Sequence, residues 1–142
     1  MRTLLVAVLS CVAVAGYAQS TTPMQVPVMA ISQLEDLKEL TKLEVAPAKA
    51  KKADAEVRPE LNRFLVISAD DFLRVAANGP TKEAYLKCLD KGLARISPLV
   101  TNSQDRQQVA QYFQEIMEIV GLESSEGRLS AFADSHKTGA GN

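Results

Sequence analysis

The chain of 142 residues has no tryptophan, one histidine, two cysteines and only 5% aromatic residues. A metal centre or a Ser-His-acid triad needs a held imidazole. The one imidazole, His136, falls in the small, polar run 134–142, which reads as a disordered tail. No charge of one sign dominates, with 16 Lys and Arg against 17 Asp and Glu. A near-neutral chain of this kind is not a general nucleic-acid binder. Gly139 and Gly141 belong to the tail, and no glycine-rich phosphate loop is present. Nor does any stretch alternate with period two, so no sheet is expected. The sequence therefore marks no catalytic, cofactor-binding or metal-binding residue and implies no cofactor. What remains is an ordinary soluble composition, 46% apolar and 23% charged, of a length that fits one domain.

The N-terminus is the most explicit segment. Met1-Arg2 is a short positive start, Leu4 to Ala15 is an apolar run, and Gly16-Tyr17-Ala18 supplies small residues at −3 and −1. This is the pattern of a signal peptide over 1–18, cut between Ala18 and Gln19. The apolar run is shorter than the ~20 residues that span a bilayer, so the mature chain is expected to hold no transmembrane segment. The destination is then the periplasm or the exterior. An alternative reads Val8-Leu9-Ser10-Cys11 as a lipoprotein box with Cys11 lipid-anchored. Cleavage at Gln19 leaves Cys88 alone, so no intramolecular disulfide can form. Cys88 reads as a small buried hydrophobe.

The mature chain reads as an all-α domain over residues 32–133, with four main helices and a short fifth, bundle-like or orthogonal. Residues 19–31, with two prolines and no charge, read as an extended linker. Ser32 and Glu35 have capping-box spacing, which starts a first helix that runs to about Val45. Residues 46–56 are rich in Ala and Lys and read as a solvated connection or a frayed helix. Pro59 suits the first turn of a second helix. Its apolar face takes Leu61, Phe64, Leu65, Ser68, Phe72, Val75 and Ala76, and Asn78-Gly79-Pro80 ends it. Thr81 caps a third helix lined by Tyr85, Leu86, Leu89, Leu93 and Ile96. Gly92 lies inside that stripe and predicts the close approach of another helix. Asn102 or Ser103 caps a fourth helix with the stripe Val109, Tyr112, Phe113, Ile116, Met117 and Val120. Gly121 and Leu122 have the pattern of a Schellman stop, which requires positive φ at Gly121. Ser124 or Ser125 can cap the fifth helix, which presents Leu129 and Phe132.

The first helix carries a conflict. Leu34, Leu37, Leu40 and Leu43 recur every three residues, and at about 100° per residue that row drifts around the helix. One groove cannot bury all four. Either one Leu stays partly exposed, or the helix is a detachable segment that serves a partner or a second copy.

Candidate reactive residues are few. Asp70 lies opposite the apolar face and can pair with Arg74 four residues on. Asp71, nearer the apolar edge, can anchor a neighbouring loop or bind a ligand. Glu123 and Ser124 lie in the distinctive segment Gly121–Gly127, where no base is adjacent. Lys49, Lys51 and Lys52 lack the interleaved aromatics of a nucleic-acid site.

The runs Arg58-Pro59-Glu60-Leu61-Asn62, Ala69-Asp70-Asp71-Phe72-Leu73 and Tyr112 to Ser125 (YFQEIMEIVGLESS) together resemble a bacterial domain-of-unknown-function family of small exported proteins. The resemblance covers about residues 30–133. It implies export and a helical fold, and it brings no activity or site residues. Three functions fit these features. The first is a non-enzymatic protein-binding module of the envelope. A second is a structural lipoprotein tethered to the envelope through Cys11. The third is a ligand-processing enzyme that uses Asp71, Glu123 or Ser124.

Overall fold

The computed structural model describes residues 21–43 and 52–135, with the backbone path alone for Leu43 and residues 52–58. The segment 1–18 read as a signal peptide, the Ala18–Gln19 junction, Cys11, Lys49 and Lys51, and the residues from His136 onward lie outside the described residues, as does the side chain of Lys52. The described chain is all-helical: α1 (Ala30–Leu43), α2 (Lys52–Ala77), α3 (Lys82–Ile96), a 3₁₀ turn at Ser97–Leu99, α4 (Ser103–Val120) and the short α5 (Arg128–Asp134). No strand occurs among these residues beyond an isolated bridge between Pro23 and Thr81.

Local chemistry sets most of the boundaries. The Thr81 hydroxyl accepts from Ala84 N at 3.1 Å and caps α3. The Asn102 side chain accepts from Asp105 N at 2.8 Å and caps α4, with Asp105 in the first turn as expected. At the other end of α4, Gly121 has φ 77°, Leu122 N donates to Met117 O, and Gly121 N donates to Glu118 O. These two bonds make a Schellman end, and Leu122 turns back into the core. Phe72, Leu89, Phe113 and Ile116 are all fully buried, each at the centre of its helix's apolar arc. The ring of Tyr85 stacks on that of Phe72, with centroids 5.6 Å apart.

Two boundaries differ from expectation. The first helix begins at Ala30 rather than Ser32, because Ala30 N donates to Pro27 O and Gln33 N to Met29 O. Ser32 is therefore inside the first turn, and its hydroxyl donates back to Met29 O instead of capping. The second helix begins at Lys52, and Pro59 lies within it. Proline removes one intrahelical bond, but the preceding Lys- and Ala-containing run favours helix strongly enough to continue through it.

The segment before α1 is extended, as read, yet it is not a free linker. Met24 N donates to Pro80 O and Lys82 N donates to Thr22 O, both at 2.9 Å. The Glu83 carboxylate accepts from Thr22 N at 2.8 Å and from its hydroxyl at 3.1 Å. Residues 22–24 thus form a strap across the start of α3. They satisfy one of its orphan first-turn amides, while Met24 and Val26 pack against the core.

In α1 the drifting leucine row is resolved by a different face. Ala30, Leu34, Leu37 and Thr41 are buried. Their spacing of 4, 3 and 4 is the helical one that the leucines lack. Leu40 is 63% exposed. The Thr41 hydroxyl donates to Leu37 O at 2.7 Å and lies 3.0 Å from the Tyr112 hydroxyl, which joins α1 to α4. Lys38 lies 3.1 Å from Asp70 on α2 and 3.1 Å from Glu35. Asp70 also pairs with Arg74 at 2.9 Å, as its spacing predicted. Helix α1 is therefore integral to the core. A chain lacking residues 19–43 is expected to lose most of its helical circular-dichroism signal. A remainder that keeps its cooperative melt would show α1 to be a detachable segment.

Candidate functional site

The polar residues of greatest chemical interest lie along the two flanks of α3. On the flank that faces α2, Asp71 Oδ2 lies 3.5 Å from Arg95 Nη2, and both side chains are largely buried. Neither Asp71 Oδ2 nor Arg95 Nη1 has a hydrogen-bond partner among the described residues. The pair is therefore a charge contact without directional bonding. Such a pair recovers only part of its desolvation cost, and removal of one partner strands the other. Cys88 and Tyr85 continue this flank toward the start of α3, at spacings of seven and three residues. Both are buried. Burial, reinforced by the Asp71 charge, pushes the Cys88 thiol above its ordinary range. Burial also pushes Tyr85 up to about 12, and its hydroxyl has no partner among the described residues. Cys88 is thus a protonated, buried thiol, the opposite of a reactive one.

On the other flank sits the turn that joins α4 to α5. Glu126 (φ 53°) and Gly127 (φ 82°) both have left-handed backbone, and Arg128 N donates to Ser125 O. This is a type I′ arrangement that asks for Asn or Gly at its first central position. Glu126 adopts it while its carboxylate lies 2.6 Å from Lys82 and 3.5 Å from Arg128. Arg128 reaches Asp90 at 2.8 Å. The Ser124 hydroxyl accepts from Glu126 N at 3.0 Å, and that of Ser125 lies 3.4 Å from Leu129 N. Gly127 is the N-cap of α5, so Ser125 supports the helix start from outside it. Glu123 is exposed.

The candidate residues do not converge. Asp90 and Arg95 are five positions apart on α3, which places them about 140° apart around its axis. Asp71 holds to the Arg95 side, and the turn bearing Glu123 and Ser124 is fastened through Arg128 to the Asp90 side. Among the described residues no group of three or more His, Cys, Asp or Glu is placed to hold a metal ion. No helix among them is long and apolar enough to cross a membrane.

Sequence reading missed Arg106, the most connected side chain in this region. From the first turn of α4 it donates to Phe132 O (3.2 Å), Ser135 Oγ (2.7 Å), Ser97 Oγ (3.2 Å) and Ser97 O (3.4 Å). Its guanidinium also sits 4.7 Å from the centre of the Phe132 ring. One cation thus serves the ends of α3 and α5, where helix dipoles favour positive charge. It carries α5 as far as Asp134 and holds Ser135, at the start of the segment read as tail. No local motif marks such a residue, because its partners lie 9 and 26–29 positions away.

Compared with known proteins, residues 22–137 match the family model of a domain of unknown function, DUF4844. The chain belongs to the DUF4844 family. The match begins at Thr22, the residue that Glu83 grips, so the strap is part of the DUF4844 domain. The domain is also similar to the crystal structure of a DUF3571 family protein from Acinetobacter baumannii, with 30% identity and a TM-score of 0.65. The alignment covers 78% of this chain and 93% of that one. No curated protein matches the chain.

Hydrogen bonds, ion pairs and burial together predict how the stability of the domain depends on pH. Hydrogen bonds from Thr22 hold Glu83 below the usual carboxylate range, and Lys82 does the same for Glu126. Groups depressed in this way add stability above their unfolded pKa, near 4.5, and lose it as pH falls through the lower folded value. Tyr85 and Cys88 are raised from 10.0 and 9.0, so their contribution is complete below those values and is lost as pH rises. Lys38 behaves likewise from 10.5: burial lowers it, but hydrogen bonds to Asp70 and Glu35 outweigh that. The melting temperature is expected to hold a plateau from about pH 5 to about pH 9 and to fall on both sides. Tyr85→Phe removes an unpartnered buried hydroxyl. It is expected to raise stability at neutral pH by about 1 kcal/mol and to flatten the alkaline fall. A clear loss on that substitution would mean that the hydroxyl has a partner.

Proposed function

We propose that the protein is an exported, non-catalytic protein-binding module of the bacterial envelope. The observation that carries the reading is an apolar end where the strap enters α1. There Val28 is 96% exposed, Met29 60% and Ile31 40%. Three large apolar side chains left in water within four residues of one another are unusual for a surface with no binding role. The enzyme alternative has less support, since Asp71 is engaged with Arg95 and lies on the opposite flank of α3 from Glu123 and Ser124. Export is supported by the positive start, the apolar run and the small residues before Gln19.

Two measurements test this. The N-terminal residue of the protein recovered from its native cell is expected to be Gln19. A lipid-blocked Cys11 would replace secretion by tethering, and an intact Met1 would remove the export reading. For binding, the wild type and a Val28→Ser, Met29→Ser double variant are recovered from the envelope fraction after cross-linking. The variant is expected to keep the wild-type circular-dichroism spectrum and lose a cross-linked protein. Identical cross-linked species in both would count against the apolar end as a binding surface.

A further inference from the structure

Asn78 and Gly79 form the turn between α2 and α3 and are the only Asn-Gly pair in the chain. Both are exposed, Gly79 has φ 83°, and a Cβ built on it would meet nothing within 4 Å. Among the described residues no hydrogen bond engages the Gly79 N–H. We propose that this turn is a covalent modification site, at which Asn78 deamidates through a cyclic imide.

In the first step the backbone nitrogen of Gly79 attacks Cγ of Asn78. An N–Cγ bond forms, the Cγ–Nδ2 bond breaks, and the Gly79 amide proton leaves with the side-chain nitrogen as ammonia. Water then opens the ring. Attack at Cγ gives aspartate. Attack at the backbone carbonyl of Asn78 gives isoaspartate, in which the chain runs through the former side chain. Glycine at position 79 leaves its nitrogen unshielded, and its backbone is free to rotate into the attacking geometry. Two contacts hold Asn78: its N–H donates to Val75 O at 3.2 Å, and its Nδ2 donates to Arg74 O at 2.7 Å and must let go before the step. The other described asparagines are held more firmly. Asn102 uses its oxygen on Asp105 N and its nitrogen on Asp105 Oδ2, and Asn62 lies inside α2.

The product differs from Asn78 in ways the surrounding fold registers. A carboxylate replaces a donor at the C-terminus of α2, where the helix dipole disfavours negative charge. Isoaspartate also adds one methylene to the chain path at position 78, with only Gly79 between it and Pro80. Pro80 O holds Met24 N, and Thr81 caps α3 and pairs with Pro23. Modification of the turn is therefore transmitted to the strap.

The test incubates the folded full chain and the denatured chain in mildly alkaline buffer, then follows the tryptic peptide Val75–Lys82 by mass spectrometry and isoaspartate assay. Aspartate and isoaspartate are expected in that peptide. The folded rate is expected within about tenfold of the denatured rate, since a single side-chain hydrogen bond must open for Nδ2 to leave. Asn102 is expected to stay intact in the folded chain, and Asn78→Gln to abolish the signal. Hydrogen exchange of the Met24 amide is expected to quicken in the modified protein. Conversion of Asn78 in the denatured chain alone, or of Asn102 first, would overturn the proposal. Unchanged exchange at Met24 would overturn the link to the strap.

Discussion

Replacing Phe113 by alanine is expected to destabilise the domain by ~3–5 kcal/mol, which is the usual cost of emptying a buried phenylalanine site. Phe113 is fully buried on α4, its ring meets Tyr112 edge-on with centroids 6.2 Å apart, and it presses on the backbone of α3 at Gly92. A domain of this size has about 5–15 kcal/mol of stability in total. The variant is therefore expected to be recovered in poor yield with a much lower melting temperature. Chemical denaturation reads the loss directly. A loss below about 1 kcal/mol would show that the site collapses around the missing ring.

The second large effect lies at the other side of the same contact. A Cβ on Gly92 would stand 2.7 Å from Phe113 Cζ and 2.9 Å from Ser68 Oγ. Neither neighbour can swing into solvent, because both are fully buried. Gly92→Val is expected to cost about 3 kcal/mol or more, since overpacking strain adds to a β-branched residue's poor fit in a helix. Gly92→Ala gains up to ~1 kcal/mol in helix propensity and loses more to the clash. In a Phe113→Leu background the aromatic atoms at 2.7 and 2.9 Å are absent. There the alanine penalty is expected to shrink or reverse, a non-additivity that a double-mutant cycle measures. Strict additivity would place the strain at Ser68 instead.

These two residues also mark where the sequence was readable. Gly92 stood inside an apolar stripe, where glycine has no local use, so a close approach was the remaining explanation. Thr81, Asn102 and Gly121 were readable because a cap or a Schellman end is decided within four or five residues. Ser32 had the same local credentials and failed. Pro27 and Met29 begin the helix two residues earlier, and the burial of Ala30 holds it there. The start of α2 is left open between a connection and a frayed helix, because a run of Ala and Lys shows no face, although it favours helix. Helical spacing pairs Asp70 with Arg74 but says nothing of Lys38, which arrives from another helix. Asp71 was placed at the apolar edge correctly, yet its partner Arg95 is 24 positions away, a distance that periodicity does not address. The strap and Arg106 were invisible for the same reason.

The strap has a consequence for the order in which the molecule assembles. Its anchor joins residues 61 positions apart, Thr22 and Glu83. The α2–α3 pair, by contrast, is closed by a turn of a few residues. Loop-closure entropy favours the short connection, so the α2–α3 hairpin is expected to form early, with the strap among the last contacts made. Although residues 22–24 are synthesised before every described helix, their docking site does not exist until α3 has been made. A contact that forms last is also the first to open under native conditions. Under hydrogen exchange the Met24 and Lys82 amides are thus expected to report a partial opening, well before the buried helix α4 gives way.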